Sequence, residues 1–338
     1  MTEAVPEILA DKSQSYWAIV RRQFKQRKMA VLGVYVLGFL FMVALFAPFL
    51  AGDRPIFLLK DGETYLLPNI FKYKDLVDVQ FDRWEPAEGD FSINPIIEYS
   101  PTRTNLRNKL EPPSREHFLG TDETGRDVLS RLIWGTRISI SVGFVAVGIA
   151  VSIGIFMGSL AGYYGGKVDM VILRVIETML CFPGLIIILA LIAFLGRHIS
   201  IIMIVIGIIS SPNVARLVRG EFLKHRESDF AIASRATGLS DLRIMFRHIL
   251  PNSLAPVLVD ATFGVAGAIL IETALSFLGL GVPPPTPSWG ELLEESKRYV
   301  DFAWWLVTFP GLAIFVTVTA FNLVGEGFRD AMDPRLRQ

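Results

Sequence analysis

The chain has 338 residues, 51% of them hydrophobic, with a mean hydropathy of +0.45. Its 33 basic and 33 acidic residues cancel, so it lacks the charge footprint of a nucleic-acid binder. An apolar content this high, gathered in long uncharged runs, excludes an ordinary soluble domain and puts the chain in a lipid bilayer.

Residues 1–28 form a polar tail ending in Arg21, Arg22, Lys25, Arg27 and Lys28, and basic residues just before a first span argue for a cytoplasmic start. Residues 29–51 are 23 in number and carry no charge, which exceeds the roughly 20 residues needed to cross the hydrocarbon core. The run is too long for a signal-peptide core and reads as a retained anchor helix.

Residues 52–115 are polar, with no clear helical period. IFLLKDGETYLLP predicts two short strands around a turn at Asp61-Gly62. This region reads either as a small extracytoplasmic subdomain or as an irregular loop on the membrane domain. From His117 the pattern changes. Thr121 or Asp122 is placed to cap a helix through DVLSRLIWGTR, with Val128, Leu129, Leu132 and Ile133 as its apolar face. The expectation is an amphipathic helix on the outer membrane surface that runs into the next span.

Five further spans are expected at 138–163, 168–195, 199–215, 253–280 and 302–324, so a core over 116–326 follows the insert and residues 327–338 form a tail. Six crossings put both termini on one side. Pro183-Gly184 and Pro212 are positioned to kink their helices. Cys181 lies in an apolar run and reads as a packed core thiol. Val282 to Gly290, with four prolines, make a stiff outer loop, either a cap over a pathway, a contact with an external partner or a structural connector.

Between the fourth and fifth spans lies DFAIASRATGLSDLRIMFRHILPN, residues 229–252. Ala231, Ala233, Ser234 and Ala236 are small, Gly238 permits a turn that larger residues resist, and a basic helical stretch stops at Leu250-Pro251. With Arg216, Arg219, Lys224, Arg226, Arg235, Arg243 and Arg247 it falls on the cytoplasmic side, as does the tail with Arg329, Arg335 and Arg337. A short helix with a small-residue surface, held between two spans, suits docking of another protein.

Two carboxylates lie at membrane depth in the 253–280 span, Asp260 and Glu272, and such groups often line a polar path. Twelve residues apart, they are about 120° apart around a helix and do not share a face. Each is read as a pathway candidate or as an interhelical hydrogen-bonding group, with Asp260 placed to pair with a basic residue of a neighbouring helix.

Enzyme chemistry has no visible constellation. GYYGGKVD at 162–169 lacks the Walker spacing and its Ser or Thr, and reads as a tight turn. His117, His198, His225 and His248 have no metal spacing, and neither GxSxG nor HExxH occurs. No catalytic residue, metal ligand or cofactor site is therefore expected. A self-sufficient secondary transporter would need ion-coupling carboxylates or an inverted repeat, and neither is clear.

FLGTDETGRDVLSRLIWGTRIS (118–139), GYYGGKVD (162–169), the 229–252 segment with its RHILPN ending, SFLGLGVPPPTPSWGELL (276–293) and FNLVGEGFRDAMDPR (321–335) together resemble the permeases of the dipeptide, oligopeptide and nickel group of ABC importers, in their C-type subunit. The resemblance covers nearly the whole chain from about residue 16. It implies an all-α membrane fold of the type I importer (MetI-like) class with six transmembrane helices and an extracytoplasmic insert between the first two. It implies a bacterial inner-membrane protein with both termini cytoplasmic. It implies a homologous second permease, two ATP-binding subunits that use ATP and magnesium, and an extracytoplasmic solute-binding protein. Peptides are the implied substrate, with nickel or another small solute as the alternative. The cytoplasmic loop 219–252 resembles the family's coupling segment. There Asp229, Ala231, Ala233, Ser234, Arg235, Ala236 and Gly238 are the implied coupling residues, with Ile232-Ala233-Ser234 standing where the family usually has Glu-Ala-Ala.

Overall fold

The computed structural model describes residues 16–77, 79, 81, 84, 86–87 and 89–332, so Arg335 and Arg337 lie outside the described residues. Helix α1 (Tyr16–Gln26) breaks at Arg27 and leads into α2 (Lys28–Leu50). The insert carries strands β1 (Phe57–Lys60), β2 (Glu63–Leu66) and β3 (Phe91–Ile93). Then come α3 (Val128–Tyr164), α4 (Gly166–Leu180), α5 (Gly184–Leu195), α6 (Ile199–His225) and the short α7 (Asp229–Ala236). Helix α8 (Asp241–Arg243) passes through a π-helical turn, Ile244–Ile249, into α9 (Leu250–Phe277). Helices α10 (Trp289–Ser296) and α11 (Trp305–Met332) complete the fold.

Five helical segments are long and apolar enough to cross a membrane, and α4 with α5 makes a sixth that is bent by 82° at Pro183-Gly184. Pro212 is carried inside α6 without ending it. The chain therefore has the six-crossing, all-α membrane architecture expected, with the insert between the first and second crossings. At one end of the bundle Arg27 pairs with Asp330 at 3.2 Å, and Tyr163 donates to Asp241 at 2.7 Å. At the other end, Trp134 Nε1 donates to the Ala51 carbonyl at 2.8 Å. Both described ends of the chain thus lie at the α7 end, opposite the insert.

Helices α3 and α6 hold the centre. Gly154, Gly158 and Gly162 recur every fourth residue and lie on one face of α3. A Cβ on Gly158 would sit 2.5 Å from the Ala215 carbonyl oxygen, and one on Gly162 would sit 2.5 Å from the Phe222 Cβ. In lipid no hydrophobic force drives helices together, so small residues that let backbones touch supply the association through dispersion. Val214, Val218 and Phe222 fill the α6 side of this seam.

Several expectations are corrected. Helix α3 starts at Val128 and is capped by Asp127, whose Oδ1 accepts from the Ser130 amide at 2.7 Å; Thr121 and Asp122 do not cap it. Those two are already used: Thr121 accepts from the Glu111 amide, and Asp122 accepts from Thr124 and Arg126. Nor does this first turn lie on a membrane surface, because Val128, Ser130 and Arg131 are fully buried. Leu250-Pro251 does not stop the helix. Pro251 lacks an N–H for the ladder, and the π turn just before it absorbs the mismatch. Helix α11 continues to Met332, so residues 327–332 are helical where a tail was expected. Cys181 is not a packed core thiol: it caps the C-terminus of α4 just before the bend and is exposed.

The insert forms the hairpin expected at Asp61-Gly62. Both residues have positive φ, 52° and 80°, as a tight two-residue turn with the right strand twist requires. With β3 antiparallel to β1, it makes a three-stranded sheet over its own small cluster of Leu58, Tyr65 and Leu76, which favours the subdomain reading over an irregular loop. The proline loop is a connector. It delivers Trp289, fully buried, against α3, where its amide donates to Ser139 and its indole to the Leu132 carbonyl.

The seam gives a direct test. Gly158→Ala forces the α3 and α6 backbones apart and is expected to cost about 1–3 kcal/mol. Gly148→Ala, on the same helix with nothing within 4 Å of the new carbon, is expected to be neutral or stabilising by up to about 1 kcal/mol. Thermal unfolding of the purified protein in mild detergent measures both.

Candidate functional site

The α7 end is built on the α3–α6 seam. Helix α6 runs ten residues past the expected end of its span, to His225, and carries α7 out of the bundle. Ala231, fully buried, packs α7 against Phe222, Ile244 and Met245. It is therefore an anchor, and its surface is not offered to a partner. Asp229, Ala233, Arg235, Ala236 and Gly238 are exposed, Ser234 is half-buried, and Ile232 is 53% exposed. The outward face of α7 is thus mostly apolar, with Phe230 and Ile232 beside Ala233 and Ala236, and Arg235 as its cation.

Helix α7 ends in a fixed way. The Gly238 amide donates to the Arg235 carbonyl at 2.9 Å and the Leu239 amide to the Ser234 carbonyl at 3.3 Å, with Gly238 at φ +77°. This pair of bonds around a left-handed residue is a Schellman cap. No atom lies within 4 Å of a Cβ at Gly238, so the requirement for glycine is conformational.

Side chains tie this end together. Arg219 of α6 makes a bidentate pair with Asp169 of α4, with Nη2 to Oδ2 at 2.6 Å. Arg226 donates to the Gly162 carbonyl at 3.4 Å. The Arg235 guanidinium lies 5.2 Å from the centre of the Tyr163 ring, and the Tyr163 hydroxyl donates to Asp241. Tyr163 therefore holds both flanks of the α7 turn to the end of α3.

The two intramembrane carboxylates part company. Asp260 lines a cavity of about 300 Å³ between α3, α6 and α9, together with Ser210 and Asn213 and otherwise apolar or small residues such as Ala146, Gly264 and Ala268. The neighbouring cation expected for it is absent: Asp260 has no ion pair or hydrogen bond among the described residues. Glu272 is fully buried elsewhere. Its Oε1 accepts from Ser276 at 2.8 Å and from Ser288 at 3.0 Å, while Ser288 also caps α10. Glu272 does not line the cavity; it fastens α9 to α10, which is the interhelical reading.

Sequence reasoning missed an ion cluster at the insert end. Arg131, fully buried, binds Asp122, Glu291 and Glu295, the Glu291 contact at 2.5 Å. Arg126 binds Asp122 at 2.7 Å and Glu295 at 2.6 Å. The signals were present: Asp122 and Arg126 are spaced i, i+4, as are Glu291 and Glu295. Nothing local, however, brings residues 160 positions apart together. Burial alone would raise Asp122, but Arg131 and Arg126 outweigh it and hold its carboxyl below its ordinary value. Glu291 goes the other way. Burial, opposed by Arg131 and reinforced by Glu295, pushes it up to about 8. Three carboxylates face two guanidiniums, so a proton on Glu291 leaves the cluster neutral. Among the described residues no group of His, Cys, Asp and Glu is arranged to hold a metal ion.

Residues 126–338 match the family described as the binding-protein-dependent transport system inner membrane component, and residues 15–66 match the N-terminal transmembrane domain of oligopeptide transport permease C. The chain is 37% identical over 323 residues to the dipeptide transport system permease protein DppC of Alkalihalophilus pseudofirmus, covering 96% of this chain and 91% of that one. It is 35% identical over 334 residues to the glutathione transport system permease protein GsiD of Escherichia coli O6:K15:H31, covering 99% and 95%. It is 42% identical over 248 residues to the di/tripeptide transport system permease protein DppC of Pseudomonas aeruginosa, covering 72% and 82%. In fold it is similar to a crystal structure of the MetNI methionine ABC transporter in an inward-facing conformation, with a TM-score of 0.51, 17% identity, and coverage of 60% of this chain and 96% of that one.

The Glu291 proton has a measurable consequence. Its folded pKa of about 8 lies above the ordinary 4.5, so the folded state binds more protons between these values and stability falls as pH rises through that window. Glu291→Gln is expected to flatten this decline in thermal midpoint against pH. Arg131→Met leaves Glu291 without a cation and three carboxylates facing Arg126 alone, and is expected to destabilise by about 3–5 kcal/mol in the same assay.

Proposed function

The chain belongs to the family of binding-protein-dependent transport system inner membrane components, and from that premise we propose that it is the C-type permease of an ATP-driven importer of short peptides. The relatives reported above are named for dipeptides, di- and tripeptides and glutathione, all peptides, which favours this substrate class over nickel. On this reading the chain forms the translocation pathway with a homologous second permease. A solute-binding protein delivers substrate on the insert side, and two ATP-binding subunits, using ATP and magnesium, act on the α7 side. That side is cytoplasmic, with both termini, because the basic residues Arg216, Lys224, Arg226, Arg235, Arg243 and Arg247 gather there. The chain is a transport subunit and leaves ATP hydrolysis to its partners.

One observation carries the coupling role: a short helix with an exposed, mostly apolar face, capped by Gly238 and bolted through Ala231 and Tyr163 to the central helices. A groove on an ATP-binding subunit closes on such a face through shape, with no carboxylate where the family usually has one. Ala233, Arg235, Ala236 and Ile232 make the contact, Ser234 and Asp229 border it, and Ala231 and Gly238 set its position. Nucleotide-driven closure of the ATP-binding pair then moves α7, and the seam carries that motion into the spans. The fully buried Glu272 braces the opposite end, and Asp260 faces the pathway.

A complex purified through a tag on this chain is expected to contain the second permease and two copies of ATP-binding subunit. Uptake by this chain alone in liposomes would refute the reading. Ala233→Trp is expected to abolish co-purification of the ATP-binding subunits. Gly238→Val, which sets about 1–2 kcal/mol of left-handed strain against the cap, is expected to lower peptide uptake per ATP hydrolysed. Unchanged stoichiometry in both variants would contradict the docking face.

A further inference from the structure

The cavity between α3, α6 and α9 has a charge arrangement that the fold does not need. Asp260 of α9 and Asn213 of α6 both line it. Asn213 Oδ1 accepts at 3.0 Å from Arg216, one turn further along α6. Asp260 and Arg216 are exposed, and neither makes an ion pair among the described residues. Elsewhere in the helices charges that meet are matched: Asp169 with Arg219, and Arg131 with its three carboxylates. An uncompensated carboxylate at membrane depth costs free energy and persists where a ligand completes it; Arg216, held on Asn213 at the cytoplasmic side of the cavity, supplies an unpaired cation beside it.

We propose that Asp260 and Arg216 form a dipolar way-station for a zwitterionic peptide: Asp260 takes the ammonium end and Arg216, steadied by Asn213, takes the carboxylate end. This rests on the peptide-permease reading and names the chemistry by which the pathway handles its cargo. A peptide leaving a binding protein must shed water from both charged ends to enter an apolar passage, and each end needs a replacement partner. One charge of each sign supplies both, while the rest of the cavity, walled mostly by apolar residues such as Val147, Val214 and Phe263, offers no charge to the peptide's side chains. A cavity of about 300 Å³ is at the small end of ligand sites, roughly 300–1,000 Å³, which suits short peptides.

The test uses the complete transporter in liposomes, with binding protein outside and ATP inside, and three radiolabelled dipeptides that differ only at their ends: glycyl-alanine amide, glycyl-alanine and N-acetylglycyl-alanine. Uptake per ATP hydrolysed is taken as the ratio of variant to wild type, which cancels the preferences of the binding protein. Asp260→Asn is expected to lower transport of glycyl-alanine amide and glycyl-alanine about tenfold or more and to affect N-acetylglycyl-alanine, which has no ammonium end, least. Arg216→Gln is expected to give the opposite order, and Asp260→Glu to recover most of the loss. Equal ratios near one for all three dipeptides would overturn the way-station while leaving the permease reading intact. Equal losses for all three, accompanied by a lowered thermal midpoint, would mark the residues as structural and overturn it too. A wild-type complex that accumulates none of the dipeptides would refute the permease reading and the way-station together.

Discussion

Everything at the working end of this molecule depends on the approach of two backbones. Gly154, Gly158 and Gly162 let α3 lie against α6 so closely that a single added methyl would meet main-chain atoms. A bilayer supplies no hydrophobic drive for such a contact, so its strength comes from the number of atoms brought into van der Waals range. The glycine face of that contact has no side chains to repack, and Val214, Val218 and Phe222 press against it from α6. It also ends where function begins: the last glycine, Gly162, lends its carbonyl to Arg226, and the next residue, Tyr163, holds Arg235 and Asp241. The α7 turn is thereby an extension of the seam and not a loose loop.

The two ends of the bundle solve different electrostatic problems. At the α7 end Asp169 and Arg219 form a partly exposed one-to-one pair, and other cations stay exposed. At the insert end the charges are buried and shared, with Arg131 at the centre of three carboxylates. Burying charge is expensive unless every partner is present, so such a cluster specifies one arrangement of α3 against α10. The excess carboxylate is accommodated by a proton on Glu291. Glu272, with its two serine donors, extends the same bracing to the α9–α10 corner.

Much of this was legible in the sequence. Runs without charge gave the spans, the Asp61-Gly62 pair gave the hairpin, Pro183-Gly184 gave the bend, and the small residues after Asp229 gave the short helix. What escaped were features decided by tertiary neighbours. Thr121 and Asp122 have good capping chemistry, but the loop before α3 had already taken their oxygens. The cluster around Arg131 escaped because its three acidic partners are remote in sequence or sit in the preceding loop. Ala231 and Ala233 are the same residue type two positions apart, and only the packing of Phe222 and Ile244 shows that the first faces in and the second out. Leu250-Pro251 looked like a stop because a π turn has no sequence signature of its own.

The central claim is that α7 moves as one body with the α3–α6 seam when ATP-binding subunits close upon it. The most direct measurement places spin labels at Thr237 and Gly148 of this chain, in a Cys181→Ser background, and follows their separation in the assembled transporter through nucleotide binding and release. The account predicts that this internal distance stays constant, while the distance from Thr237 to the second permease changes. A separation between Thr237 and Gly148 that changes with nucleotide would mean that α7 swings on a hinge, and would contradict it.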